Sequence, residues 1–319
     1  MKKTLLTLGA VAAVGSAAFY AVNELVYRAL IYADYEMPKS IDKKISQSEA
    51  ADYSEASRQG KKWIKDYGYK KYNILNSDNN WLTAYLLEPK KKSNVYVFGS
   101  HGYRSDGMGE WCFYAKHYVE DLGYNFFFVD HQGAGESTGK YVGFSSFESR
   151  DALQWLDFMT EKFGKDIQII LHGISMGSAT VMLMTGSEKL PSNVKFTIAD
   201  CGFTSALDEF TYKLEALGVP RKPIIPYITQ KNLRRAGYHF GKDTNALEAV
   251  SRAKAPILFI HGGSDKFVPT YMVHQLYDNC AAPYKDKLIV EGADHAESYL
   301  IDKEACESKI NEFIGMFIK

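Results

Sequence analysis

Residues Ile167–Thr180 read IQIILHGISMGSAT. Ile167 to Leu171 is a short apolar run of the length expected for a buried strand. Gly173-Ile174-Ser175-Met176-Gly177 follows as a G-x-S-x-G pentapeptide, and small and apolar residues at helical spacing come after it. The pattern predicts a strand, a sharp turn and a helix, with one serine at the corner. Two glycines flank that serine because so tight a turn brings backbone against backbone, where a Cβ would collide. The corner exposes the hydroxyl and leaves the following N–H groups free. Ser175 is therefore the candidate nucleophile, and the rest of the chain has to supply its partners.

Outward from this stretch, strand-like and helix-like segments alternate. Tyr69–Leu75 and Trp81–Leu87 are two strand-like runs around Asn76-Ser77-Asp78-Asn79-Asn80, a turn composition, and predict an antiparallel hairpin at a sheet edge. Further strands are expected at Val95–Phe98, Asn125–Val129, Phe196–Ala199, Ile257–Ile260 and Lys287–Val290. Several are unbroken apolar runs, as in strands covered on both faces. Helical patterns lie near Glu110–Leu122, Phe147–Phe163, Met176–Met184, Tyr271–Cys280 and Ile301–Phe317. Alternation of this kind predicts an α/β fold with a mostly parallel sheet, right-handed crossovers and helices on both faces. From Gly202 to about Lys254 the rhythm breaks: short helical pieces and Pro220, Pro223 and Pro226 replace any strand pattern. An insertion between two strands of the sheet reads as a helical lid over the site, the alternative being a long connection.

A serine hydroxyl needs a base to take its proton and an acid to orient that base. In an open parallel sheet both come from loops at the carboxyl ends of strands. HGGSDKFVP (His261–Pro269) follows Ile257–Ile260 and puts Asp265 in such a loop; GADH (Gly292–His295) follows Lys287–Val290 and does the same for His295. Asp200 and Asp294 compete for the acid's place. Asp200 also ends a strand, whereas Asp294 adjoins His295 in sequence, which makes its approach to Nδ1 awkward. His101, His172 and His261 sit at strand ends near glycines and His131 lies in DHQGAGES; these read as loop supports, since one base suffices. Cys201 lacks a dedicated base and reads as packing.

The chain resembles the α/β-hydrolase fold family, particularly bacterial serine hydrolases of its esterase and prolyl-oligopeptidase-like branches. The matching pieces are SHGYRSDG (Ser100–Gly107), DHQGAGES (Asp130–Ser137), HGISMGS (His172–Ser178), HGGSDKFVP and GADH, in family order across most of Tyr69–Lys319. The resemblance implies a triad in the order Ser175, Asp265, His295. It also implies an oxyanion hole built from the N–H groups of Met176, which follows the nucleophile, and Tyr103, in the loop after the third strand. A serine rather than an aspartate at the elbow speaks against the dehalogenase and epoxide-hydrolase branches.

The balance of 38 basic and 38 acidic side chains argues against nucleic acid as the main partner. Cys112, Cys201, Cys280 and Cys306 form no C-x-x-C pair and no zinc spacing with histidine, and read as buried unpaired thiols, with a disulfide left open. No metal or organic cofactor is implied. Lys2 and Lys3 precede Thr4–Val22, 19 uncharged residues, about the length of a membrane-crossing helix. Residues 1–22 are expected to be a single-span anchor, with a cleaved signal peptide as the alternative. The two lysines place the N-terminus in the cytoplasm and the domain outside. Residues 23–65 read as a juxtamembrane helical segment interrupted by Pro38, and 66–319 as the hydrolase domain with its lid at about 202–254. The expected activity is hydrolysis of small to medium acyl esters or thioesters, from a small-molecule or lipid-like acyl substrate. The alternatives are a peptidase or amidase, which the same triad would serve, and a non-catalytic membrane-tethered binding protein on the same scaffold. In the Gly202–Lys254 interval, an apolar acyl pocket with a basic rim competes with an ordinary amphipathic cap.

Overall fold

A computed structural model of the chain describes residues 19–36 and 53–319. Among the described residues eight strands make up one sheet: β1 (Lys70–Leu75), β2 (Trp81–Leu87), β3 (Val95–Ser100), β4 (Asn125–Asp130), β5 (Gln168–Ile174), β6 (Val194–Asp200), β7 (Ile257–Gly262) and β8 (Lys285–Val290). Their spatial order is β1-β2-β4-β3-β5-β6-β7-β8. β1 and β2 form the expected antiparallel hairpin at one edge, β2 runs antiparallel to β4, and every later pairing is parallel. The chain leaves β3 for β4 on one side and returns to β5 on the other. The crevice at the carboxyl ends of β3 and β5 therefore lies where the connections part, the place for a ligand in an open α/β sheet.

The apolar runs explain why the sheet is covered twice. In β4 every residue is buried. Phe126 and Phe128 enter one core with Trp111, Tyr118 and Phe313, while Phe127 and Val129 enter another with Trp155 and Leu156. Side chains alternate across a strand, so a run with no polar residue requires helices on both faces. On one face lie α2 (Tyr53–Tyr67), α3 (Gly107–Trp111), a π-helix (His117–Asp121) and α11 (Lys303–Phe317); α4 (Ser146–Phe163), α5 (Met176–Thr185) and α9 (Tyr271–Asn279) cover the other.

Between β6 and β7 there is no strand, only α6 (Ala206–Ala216), α7 (Arg221–Arg235) and α8 (Ala246–Val250). This is the helical insertion expected for Gly202–Lys254. Lys222 is extended (φ −91°, ψ 129°), as the residue before a proline is driven to be, and α7 continues only past it. Elsewhere the helix expected over Glu110–Leu122 is broken. It divides into α3, a turn at residues 112–114 and the π-helix. The break lets Trp111, Tyr114 and Tyr118 all face His172, with ring centroids at 4.9, 4.9 and 6.0 Å. A single element, α10 (Ser298–Ile301), precedes α11 where one helix over Ile301–Phe317 is expected.

The expected span Thr4–Val22 falls outside the described residues except for 19–22, and so do Pro38 and the start of the helix expected around Ser48. Among the described residues no helix is long and apolar enough to cross a membrane. Residues 19–31 form α1, which lies on the domain. Tyr27 and Ile31 are fully buried in one core with Met176 and the insertion residues Ile228, Tyr238 and Phe240. Ile64 of α2 joins the opposite core, so residues on both sides of the expected boundary near Asp66 share continuous packing. All four cysteines are buried and free.

Candidate active site

β5 continues through His172 and Gly173 to Ile174, and α5 starts at Met176. Ser175 is left alone at the corner with φ 56° and ψ −116°. Such a backbone costs a non-glycine residue on the order of 1–3 kcal/mol, so its surroundings must hold it. Ser175 N–H donates to Asp200 O at 2.9 Å, tying the corner to the end of β6, and Ser175 O accepts from Ala179 N–H at 3.1 Å. Both flanking glycines are required sterically. A Cβ on Gly173 would stand 2.0 Å from Gly177 O, and one on Gly177 1.9 Å from Ser100 O. A Cβ on Gly102 would come within 3.3 Å of Ser175 Cβ, so the loop after β3 lies directly against the serine.

The structure brings Ser175, His295 and Asp265 together. Ser175 Oγ lies 2.9 Å from His295 Nε2, and His295 Nδ1 lies 2.8 Å from Asp265 Oδ2. With Nδ1–H donating to the carboxylate, Nε2 is left to accept the serine proton. Asp265 is only 4% exposed, and its other oxygen accepts the N–H groups of Phe267 (2.9 Å) and Val268 (2.8 Å). His261 Nε2 approaches both Val268 O (2.9 Å) and Asp265 Oδ2 (3.2 Å). A carbonyl can only accept, so this nitrogen carries its proton and donates to the carboxylate as well. Burial alone would raise the Asp265 carboxyl. The hydrogen bonds and charges of His261 and His295 outweigh it and hold the group well below the usual carboxylate range. Burial likewise opposes the His295 imidazolium, but the Asp265 bond and charge prevail and its pKa is raised.

The competing residues are engaged elsewhere. Asp200 accepts from the Tyr114 hydroxyl at 3.0 Å, and burial pushes its carboxyl up to about 6. Asp294 Oδ1 accepts from His295 N–H at 2.8 Å and Lys266 N–H at 3.3 Å, so it shapes the histidine loop from the backbone side. His172 pairs with the Tyr118 hydroxyl at 2.7 Å, and burial depresses it to about 3. His101 Nε2 accepts from His131 N–H (2.9 Å) while its Nδ1 faces Gly102 O (2.8 Å); His131 Nε2 meets Ser100 Oγ at 2.8 Å. His101 and His131 hold loops, whereas His172 ties β5 to the π-helix instead. Cys201 is fully buried, and burial pushes its thiol up. The His117 imidazole on the π-helix has Asp121 (3.3 Å) and Glu307 (3.1 Å) at Nδ1, a metal-ligand type of grouping made of residues outside the Ser175 relay.

Met176 opens α5, where the first N–H groups of a helix have no intrahelical acceptor. Tyr103 stands one residue past Gly102, in the loop against the serine. Several contacts around these residues carry no sequence signal. Tyr103 Oη donates to the carbonyls of Ala29 (3.2 Å) and Leu30 (3.0 Å) at the end of α1. Arg104 donates to Ala29 O (2.7 Å), Tyr32 O (3.2 Å) and Tyr35 O (2.9 Å). From the insertion, Lys213 Nζ sits 3.7 Å from the centre of the Phe267 ring, which lies 4.8 Å from the His295 ring. Glu209 pairs with Lys213 at 3.4 Å, and burial pushes its carboxyl up to about 7. Only long-range packing brings these side chains to the site.

Comparison with known proteins agrees with this architecture. A family model described as serine aminopeptidase, S33, matches residues 92–203, from just before β3 to just beyond β6. The uncharacterized protein YqkD of Bacillus subtilis is 27% identical over 234 residues, covering 73% of this chain and 75% of its own. WAV2 of Arabidopsis thaliana, an alpha/beta hydrolase domain-containing protein, is 28% identical over 167 residues, about half of each chain. Among solved structures, the Pyrococcus furiosus esterase Pf2001 superposes with a TM-score of 0.60 at 21% identity, over 80% of this chain and 92% of that one. The esterase domain of a Rhodothermus marinus protein gives 0.56 at 16%, over 79% and 100%. These superpositions establish the fold. With that strand order and a family match running through the serine corner, the chain has the α/β-hydrolase fold.

Proposed function

We propose that the chain is a serine hydrolase working by two-step acyl transfer, with a carboxylic ester or thioester of a small to medium acyl group as substrate. The observation that carries the reading is the unbroken relay Ser175 Oγ–His295 Nε2 and His295 Nδ1–Asp265 Oδ2, at 2.9 and 2.8 Å. Ser175 Oγ attacks the carbonyl carbon as its proton passes to His295 Nε2. The charge that develops on the carbonyl oxygen is met by the N–H groups of Met176 and Tyr103. His295 then gives its proton to the leaving oxygen or sulfur. A water, deprotonated by the same nitrogen, attacks the acyl-enzyme, and the Ser175–acyl bond breaks with return of the proton to Ser175. Asp265 stays ionised throughout and stabilises the imidazolium.

The esterase neighbours support an ester substrate by likeness of fold. The description of the matching family model supports keeping the amide reading as a second arm. Turnover of p-nitrophenyl esters against aminoacyl p-nitroanilides separates the two. Ser175→Ala is expected to abolish turnover of whichever is cleaved, with the fold intact by circular dichroism. Turnover retained in that variant contradicts the proposal.

A further inference from the structure

The loop between β4 and α4 carries two successive non-glycine residues in the left-handed region, Phe144 (φ 47°) and Ser145 (φ 84°). Strain of this kind persists only where the surroundings over-determine it, and it concentrates at functional sites. Here it is pinned by Glu148, which is 1% exposed. Glu148 Oε1 accepts from Gly143 N–H and Oε2 from Ser145 N–H, both at 2.8 Å. The turn closes tightly on that carboxylate: a Cβ on Gly143 would lie 2.5 Å from Oε2.

The two strained residues reach Tyr103 and Met176, the two residues proposed above as oxyanion donors. The Phe144 ring stacks on the Tyr103 ring, centroids 5.0 Å apart and planes 26° apart. Ser145 Oγ, fully buried, donates to Met176 O at 3.0 Å. The Met176 carbonyl also takes the Thr180 hydroxyl at 2.9 Å, but that bond lies within α5, whereas Ser145 ties α5 to a separate loop. Glycine would adopt φ 84° without strain; what serine adds is the hydroxyl, bound to Met176 and part of the capping box with Glu148 at the start of α4.

We propose that the Gly143–Ser145 turn, pinned by Glu148, is a brace that positions both arms of the oxyanion hole, with Ser145 and Phe144 as positioning residues. The proposal rests on the reading of the Tyr103 and Met176 N–H groups as oxyanion donors. A misplaced donor weakens transition-state stabilisation while leaving ground-state binding almost untouched, so its loss falls on kcat and spares KM.

The test uses the full chain with Ser145→Gly, Ser145→Ala and Phe144→Leu, measuring kcat, KM and melting temperature on a p-nitrophenyl ester, with Ser175→Ala as control. Loss of one neutral hydrogen bond predicts a kcat reduced by roughly three- to tenfold in both Ser145 variants, with KM within about twofold. The glycine variant relieves the strain and is expected to melt above the alanine variant, so the two differ in stability and share the kcat loss. Phe144→Leu keeps the bulk, loses the ring stack and is expected to show the same kcat-only effect from the Tyr103 side. Wild-type kcat in Ser145→Gly, or losses that follow melting temperature across the series, overturn the brace. If Ser175→Ala is inactive and the Ser145 and Phe144 variants turn over normally, the brace alone fails. If Ser175→Ala retains turnover, the acyl-transfer reading fails and the brace with it.

Discussion

Asp265 gathers four donors on one buried carboxylate: two backbone N–H groups and the imidazoles of His261 and His295. The consequence for pH has a definite sign. The pKa of His295 is raised above its ordinary 6.5. The pairing therefore stabilises the fold fully below that value, and the contribution is lost as pH rises through the folded value. For Asp265, held low, the stabilisation is present above the ordinary carboxylate value and is lost as pH falls. Catalysis needs the neutral imidazole, so kcat/KM is expected to rise with pH along a limb whose midpoint lies above 6.5. Asp265→Asn is expected to cut kcat by roughly 10³–10⁴-fold, through loss of the correct tautomer, and to move that limb to lower pH. A pH–rate profile unchanged in the variant contradicts the assignment. At this scale Ser175, Asp265 and His295 were legible because each stands in a loop at a strand's carboxyl end. Only distances show that Asp265, rather than Asp200 or Asp294, lies at His295 Nδ1, and the His261 contact could not be read at all, since it depends on the path of a loop.

At the level of elements, the eight strands were legible, several of them as unbroken apolar runs bounded by turn residues, and their ends moved by only a few residues. The Glu110–Leu122 segment was not. Its aromatic spacing fits one helix, and nothing in the sequence announces that burying Trp111, Tyr114 and Tyr118 around His172 requires a turn and a π-helix. Nor did the sequence disclose that the loop after β3 is clamped to α1. The last carbonyls of a helix lack intrahelical partners and favour a cation. Arg104 and Tyr103 supply donors to that end, to Ala29, Leu30, Tyr32 and Tyr35. Arg104→Ala is expected to cost about 1 kcal/mol in urea unfolding, the guanidinium being exposed, and Arg104→Lys to recover only part, because an ammonium lacks the planar fork. Unaltered stability in Arg104→Ala contradicts a structural clamp.

For the whole molecule, α1 links the domain's parts: its Glu24 pairs with Lys231 and Arg235 of α7 while its far end meets the loop beside Ser175. Residues 23–36, the described start of the expected juxtamembrane segment, thus pack on the folded domain. The orientation expected from Lys2 and Lys3 is tested by protease treatment of intact cells; the account expects the domain to be cleaved, and full protection would reverse the orientation. The substrate is the least legible property in the sequence. The residues that approach His295 from the insertion, Lys213 and Glu209, do so through Phe267 and through pairing with one another, and no local pattern encodes such convergence. The chemistry is more accessible than the substrate. Treating the full-length protein with a fluorophosphonate probe and locating the adduct by peptide mass spectrometry tests the central claim most directly. The account predicts a covalent adduct on Ser175, absent from Ser175→Ala and slowed in His295→Ala; an unlabelled Ser175 in the folded wild-type protein would contradict it.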